Sequence, residues 1–220
     1  MLWHVYQRAS QAKLADSIWI ATDSEEVHEA ALSWGAQSLM TSSDCTCGTE
    51  RIASIADQVG AELIVNVQGD EPMVEPQLID DLIVAAQASD ADMVTPVIQI
   101  TDEATLSSAT TVKVVRATDG QALYFSRSAV PFIRDVPREQ WVEQGAFWLQ
   151  VGMYTFTKDV LMEYLGWPEP PLEALERVEQ IRFLEHSKRI MTIETAFHSM
   201  AVDVPADLEK VRMLMAPDAR

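Results

Sequence analysis

Cysteine is nearly absent from this sequence: Cys45 and Cys47 are the only two in 220 residues. Two thiols at that spacing build neither a disulfide framework nor a four-ligand zinc site, and they read as reduced thiols in a loop. Cations are scarce as well. Sixteen Lys and Arg stand against 34 Asp and Glu, a formal net charge of −18, and they form no cluster. That argues against a nucleic-acid-binding surface, because phosphate backbones are held by grouped Lys and Arg. A triphosphate could still be held where a metal ion and a few placed cations reverse the local potential. Long apolar runs are missing too: Leu63 to Val67 is representative, far below the roughly 18 residues of a membrane-spanning helix. Met1 is not followed by a basic segment and an apolar signal core, so a cytoplasmic protein without membrane contact is expected. No glycine-rich dinucleotide fingerprint follows any strand, which argues against an oxidoreductase.

What is present alternates. Leu2, Val5, Tyr6, Ala9 and Ala12 fall at helical spacing before an Ile- and Trp-containing strand at Ser17 to Ala21. Ser24 can cap a helix with Val27, Ala30, Ala31 and Trp34 on its apolar face, and Gly35 stops it. Strands at 38–40, 63–67 and 93–98 then alternate with helices at 50–59, ending at Gly60, and 77–88. The buried strands read as continuous apolar runs, which predicts an α/β fold with a mostly parallel sheet covered by helices on both faces. The pattern shifts at Thr111, where Val112–Arg116, the Thr118-Asp119-Gly120 turn and Ala122–Phe125 predict a hairpin and make the sheet mixed. A long loop at 128–146 follows, then a strand at 147–156, two helices separated by Gly166–Pro171, a strand at 189–195 and a closing helix from Pro205. The opening helix feeds a strand without one before it. A right-handed βαβ crossover needs that earlier strand, so either the sheet starts unusually or a strand and its loop are missing from this sequence.

In open α/β sheets ligands bind beyond the carboxyl ends of strands, so Gln68, Asp70 and Glu71, directly after Leu63 to Val67, are candidates. Gly69 permits a tight turn and Pro72 fixes the exit, so Asp70 can be held as a hard oxygen ligand for Mg²⁺; a polar turn with a helix-capping acid fits the same residues. Gly48 and Thr49 lead into a helix whose free N–H groups could face a nucleotide, with Arg51 in its first turn; a solvent-exposed Arg on a capped helix fits equally. Asp203 sits where an N-cap belongs. Arg127, just after a strand, could clamp a carboxylate or pair with one of the many acids. Glu176, Glu179 and Arg182 share a helical face by spacing, and the four histidines show no partner pattern.

These residues resemble one family along nearly the whole chain, the CMP-Kdo synthetases (3-deoxy-manno-octulosonate cytidylyltransferases). The resemblance runs through Gly48-Thr49-Glu50-Arg51, Asn66-Val67-Gln68-Gly69-Asp70-Glu71-Pro72, Val112-Lys113-Val114-Val115 and Ala122–Arg127. It continues through Gly152-Met153-Tyr154, Pro171-Leu172-Glu173, Glu179-Gln180-Ile181-Arg182 and Val202-Asp203. It implies a nucleotide-diphospho-sugar transferase-like domain over 1–220, with residues 111–171 forming an antiparallel sugar-binding and dimerisation portion. It also implies transfer of CMP from CTP to Kdo in a Mg²⁺-dependent homodimer serving lipopolysaccharide synthesis. Asp70 and Asp203 then look like catalytic metal ligands, Arg127 like a catalytic residue of the sugar site, Gln68, Tyr154, Glu179 and Arg182 like further sugar-site residues, and Gly48 and Arg51 like nucleotide-site residues. A nonulosonate-type CMP-sugar synthetase and a non-catalytic dimeric sugar-binding remnant are the alternatives.

The chain departs from the family pattern at Cys47, where a small hydroxyl residue is usual, at Gln150, where a His is common, and at its start. The family opens with a strand and an Arg/Lys loop that grips the nucleotide, and this sequence starts past them. Poor CTP binding and little or no activity are therefore expected of it.

Overall fold

The computed structural model describes residues 1–145, 147–197, 200–202 and 204–215. In chain order come α1 (Leu2–Ala9), β1 (Trp19–Thr22), α2 (Glu25–Ser33), β2 (Gln37–Met40), α3 (Gly48–Ala53), α4 (Ala56–Val59) and β3 (Leu63–Asn66). Next are α5 (Pro76–Gln87), β4 (Met93–Gln99), α6 (Glu103–Ser107), β5 (Lys113–Arg116), β6 (Ala122–Ser126), α7 (Trp141–Gln144) and β7 (Trp148–Gln150). The chain continues through β8 (Tyr154–Thr157), α8 (Lys158–Tyr164), α9 (Pro171–Glu176), α10 (Gln180–Glu185), β9 (Ile190–Glu194) and α11 (Pro205–Met215).

The α/β class holds, with a correction to the sheet. β1 and β2 form a parallel pair of their own. In the larger sheet β4 and β9 run parallel, whereas the β3–β8, β4–β8, β4–β7, β5–β7 and β5–β6 pairs are antiparallel. Continuous apolar runs report packing on both faces, not strand direction, and packing on both faces is what they deliver here. Leu63, Val65, Val94 and Ile98 pack with α1 and α5 on one face, while Ile64, Met93, Val97 and Phe156 pack with α3, α8 and α10 on the other.

Single residues explain the boundaries that differ from expectation. The strand expected at 147–156 is two strands, because β4 carries Pro96, which has no N–H to offer a neighbour. Opposite it the chain loops outward at 151–153, Thr95 Oγ1 donating to the Val151 and Met153 carbonyls at 3.4 and 3.1 Å. The helix expected at 50–59 is α3 plus α4, separated at Ser54–Ile55 and ended by Gly60 in the left-handed region at φ +70°. Part of the 128–146 loop coils into α7 around Trp141, whose indole N–H donates to the Val136 carbonyl.

The expected hairpin is β5–β6, and Gly120 docks it on β9. Its carbonyl accepts from the Thr192 N–H and hydroxyl at 2.9 and 2.6 Å, its φ is +89°, and a Cβ there would lie 3.3 Å from the Thr192 carbonyl oxygen. Gly120→Ala is expected to cost about 1–3 kcal/mol in urea unfolding, from backbone strain plus crowding. An unchanged midpoint would show that the turn does not depend on glycine.

Candidate functional site

The site forms where β3 ends. The backbone turns there, Glu71 N–H donating to the Gln68 carbonyl at 3.3 Å and Val74 N–H to the Glu71 carbonyl at 3.1 Å. Asp70 is left half-buried at the sheet edge, while Glu71 is buried. Gly152, in the outward loop opposite Pro96, lies against Glu71: a Cβ on it would approach Oε1 to 3.2 Å. The Asp70 carbonyl accepts from the Val202 N–H at 2.9 Å, so the segment after β9 is tied to this turn. The expectation for Asp203 lies outside the described residues.

The start of α3 meets the turn from one side. A Cβ built on Gly48 would sit 3.6 Å from both ends of the Gln68 amide and 3.8 Å from Asn66 Nδ2. Asn66 is 3% exposed and its Nδ2 has no partner among the described residues, which makes it an uncompensated buried donor beside the turn. Sequence reasoning gave Asn66 no role, although an amide closing an apolar strand was the available signal. Cys47 caps α3, its sulfur accepting from the Glu50 N–H at 3.4 Å, and the Glu50 carboxylate returns to the Thr46 N–H and hydroxyl at 2.7 Å each. Those bonds hold the Glu50 pKa below the ordinary range. Arg51 donates to Asp23 at 3.2 Å and to the Thr41 hydroxyl, fastening α3 to the ends of β1 and β2.

From β8, Tyr154 stands directly opposite Asn66 in register and on the same face. Burial, then the negative charge of Glu179 and Glu71, raises its phenol pKa well above normal, and Gln180 hydrogen-bonds it. Glu179, at the entrance to α10, also faces Cys47, and Cys47 Sγ lies 3.5 Å from the Tyr164 hydroxyl. Gly48, Gln68, Tyr154 and Glu179 thus share one face of the sheet with Asn66. The Cys47 thiol pKa is raised, first by burial and then by Glu179. Iodoacetamide at pH 7.5 is therefore expected to label Cys47 in the folded protein at least tenfold more slowly than in the urea-unfolded chain, because the thiolate is the nucleophile. Equal rates in peptide mapping would contradict this.

The two arginines assigned to the sugar spend their donors on the protein. Arg127 donates to the carbonyls of Glu176, Ala109 and Arg177 at 2.8, 3.1 and 3.1 Å, and its own N–H bonds the Glu176 carboxylate at 3.0 Å. Beside it Lys113, fully buried, donates to the carbonyls of Ser108, Thr111 and Arg127 at 2.6, 3.0 and 2.5 Å. Burial depresses the Lys113 pKa. Arg182 holds the Glu173 carboxylate through two nitrogens, one at 2.8 Å, and lies 4.5 Å over the Tyr164 ring. Glu176, Glu179 and Arg182 do not share one helix face: Arg177 at φ +52° separates α9 from α10. Gln150 Nε2 is buried without a partner among the described residues.

A mixed sheet with helices on both faces, and carboxylates at the end of one strand, place the protein in the α/β class. At the level of fold, a putative glucose-1-phosphate thymidylyltransferase from Bacillus anthracis superposes with a TM-score of 0.63 at 13% identity, covering 97% of this chain and 81% of that one. The family model described as cytidylyltransferase matches residues 1–190, and this chain belongs to that family. It is similar to the 3-deoxy-manno-octulosonate cytidylyltransferase of Geobacter sulfurreducens, 42% identical over 217 residues, or 96% of this chain and 87% of the relative. It is also similar to a solved CMP:2-keto-3-deoxy-manno-octonic acid synthetase complexed with CTP. That match has a TM-score of 0.90 and 36% identity, and it covers 98% of this chain and 87% of that one. Nothing in these matches sets the chain apart as a non-catalytic remnant, and the expected loss of activity finds no support in them.

Proposed function

We propose that this chain transfers CMP from CTP to the anomeric hydroxyl of Kdo and releases pyrophosphate. The observation that carries the reading is the near-complete superposition on a CTP-bound CMP-Kdo synthetase. The sugar oxygen forms a bond to the α-phosphorus, the bond from that phosphorus to the β-phosphate bridge breaks, and the hydroxyl proton leaves to solvent. No enzyme-bound intermediate is needed, so a site without a nucleophile and base pair suffices. This chain's part is to hold the two substrates in line. Asn66 and Gln68 offer amides beside Gly48, while Tyr154 stays a protonated hydrogen-bond donor because its pKa is raised.

A magnesium ion fits the donor set. Such ions take one or two carboxylates and keep water and phosphate oxygens in their other positions. Asp70 is half-buried at an open edge, and no group of three His, Cys, Asp or Glu forms a closed cage among the described residues. Asp70, with Asp203, would hold the ion, which when bound neutralises charge on the phosphates. We assign the chain to the cytoplasm and to lipopolysaccharide synthesis; no helix among the described residues is long and apolar enough to cross a membrane. A homodimer is part of the same reading, supported by Leu123 and Phe132 standing 55% and 75% exposed on the hairpin and its following loop.

Pyrophosphate release tests the assignment. CTP with Kdo is expected to turn over, EDTA to stop it and Mg²⁺ to restore it. Preferential use of a nonulosonate would reassign the sugar, and binding of sugar without turnover would overturn the activity.

A further inference from the structure

Two buried amide nitrogens near the end of β3 have no partner among the described residues: Asn66 Nδ2 and Gln150 Nε2. A buried donor left unpaired lowers stability, so each marks a place where an acceptor oxygen is wanted. The strand register fixes where they stand. Tyr154 pairs with Asn66, and Thr155 pairs with Val94, so Tyr154 comes level with Thr95 of β4. Gln150 pairs with Val97, two residues further along the same strand. Paired residues share a face and faces alternate along a strand, so Asn66, Tyr154 and Gln150 belong to one face of the sheet. Two residues of strand set Gln150 about 7 Å from Tyr154, and one strand spacing of about 4.8 Å separates Tyr154 from Asn66. All three are within the span of one sugar.

The outward loop at 151–153 is what brings Gln150 to this position. With Tyr154 level with Thr95, an unbroken strand would set Gly152 opposite Val97. Gln150 stands there instead, so the loop holds two extra residues and a long amide side chain takes the place of a glycine. On the other side of Val97 stands Glu194, also in register, and its carboxylate meets Arg116 at 2.9 Å. The acid in the same row as Gln150 is therefore already engaged. Arg116 in turn lies 4.4 Å over the ring of Trp148, two residues before Gln150, which holds β7 in place.

Resting on the reading of this face as a Kdo site, we propose that Gln150 is a specificity-determining residue whose amide nitrogen donates to an oxygen of the acidic sugar. The protein leaves this donor unpaired, and a site built around such a donor rejects a ligand that lacks the matching oxygen. Affinity for the sugar is thereby obtained at the expense of stability in its absence.

Gln150→Leu in the full chain tests this by two readouts of opposite sign. Removing a donor that the protein leaves unpaired is expected to raise the melting temperature by about 2–4 °C. KM for Kdo is expected to rise about tenfold or more, with kcat within about threefold of the parent. Gln150→Glu, similar in shape but an acceptor and negatively charged, is expected to raise KM further than the Leu variant does. Kdo analogues that each lack one hydroxyl, or carry the carboxylate as an amide, locate the oxygen: the analogue missing it binds the parent worse than Kdo does and the Leu variant equally well. A lower melting temperature in the Leu variant would mean that the amide is paired within the protein, and a KM within twofold of the parent would take Gln150 out of the sugar site; either overturns the proposal. Isothermal titration with Kdo repeats the comparison as Kd without turnover. A parent that binds Kdo but transfers no CMP would thus sink the proposed reaction, while the affinities of the variants still decide the role of Gln150.

Discussion

Asp70→Asn is expected to lower kcat for CMP transfer by at least about 10³-fold, roughly 4 kcal/mol of transition-state stabilisation, while the melting temperature stays within a few degrees. The side chain is half-buried at the open edge of the sheet, and the contact that ties the following chain to this turn uses the Asp70 backbone carbonyl, which the substitution keeps. Under the proposed assignment, neutralising the carboxylate removes a ligand of the magnesium ion without disturbing the turn. Steady-state pyrophosphate release across a Mg²⁺ titration gives the answer. A decrease below tenfold at saturating metal would remove Asp70 from the metal site.

The second large effect is structural. Glu173 is 4% exposed and its carboxylate meets two nitrogens of Arg182, whose guanidinium also lies on Tyr164. Arg182→Ala leaves a buried carboxylate without its partner, which costs about 3–5 kcal/mol. For a chain of this length each kcal/mol moves the midpoint by about 2–4 °C, so a fall of about 10 °C is expected in differential scanning calorimetry. The paired substitution Glu173→Leu with Arg182→Met replaces the ion pair by apolar groups and is expected to recover most of that loss. Because the Arg182 donors are engaged within the protein, the KM for the sugar in the paired variant should stay within about twofold of the parent. A tenfold higher KM in a variant of restored stability would return Arg182 to the sugar site.

Local chemistry was legible where one residue decides the outcome. Ser24 caps α2 as expected, its side chain accepting from the Val27 N–H, and Gly35 and Gly60 end helices at positive φ. The hairpin over 113–126 and the turn after β3 were visible because turn residues and apolar spacing act over a few positions. Pairing partners were not. Leu63–Asn66 and Tyr154–Thr157 lie far apart in sequence yet run antiparallel side by side, and nothing in an apolar run states the direction of its neighbour. The division of 147–156 into β7 and β8 needed Pro96, a residue more than fifty positions away. The fate of the charged groups was equally hidden, since whether Arg127 and Arg182 face a ligand or their own chain depends on which oxygens the fold brings within reach.

The sequence alone determined the family, the α/β class and the short polar turn bearing Asp70, because those follow from local composition and from a pattern spread over the whole chain. Tertiary structure decided that Gly48, Asn66, Gln68, Tyr154 and Glu179 meet on one face of the sheet. It also decided that Arg127 and Arg182 find oxygens of their own chain within reach and that β1 and β2 pair apart from the larger sheet. Hydrogen bonds and ion pairs between distant segments are chosen by packing, and packing becomes defined only when the whole chain is folded.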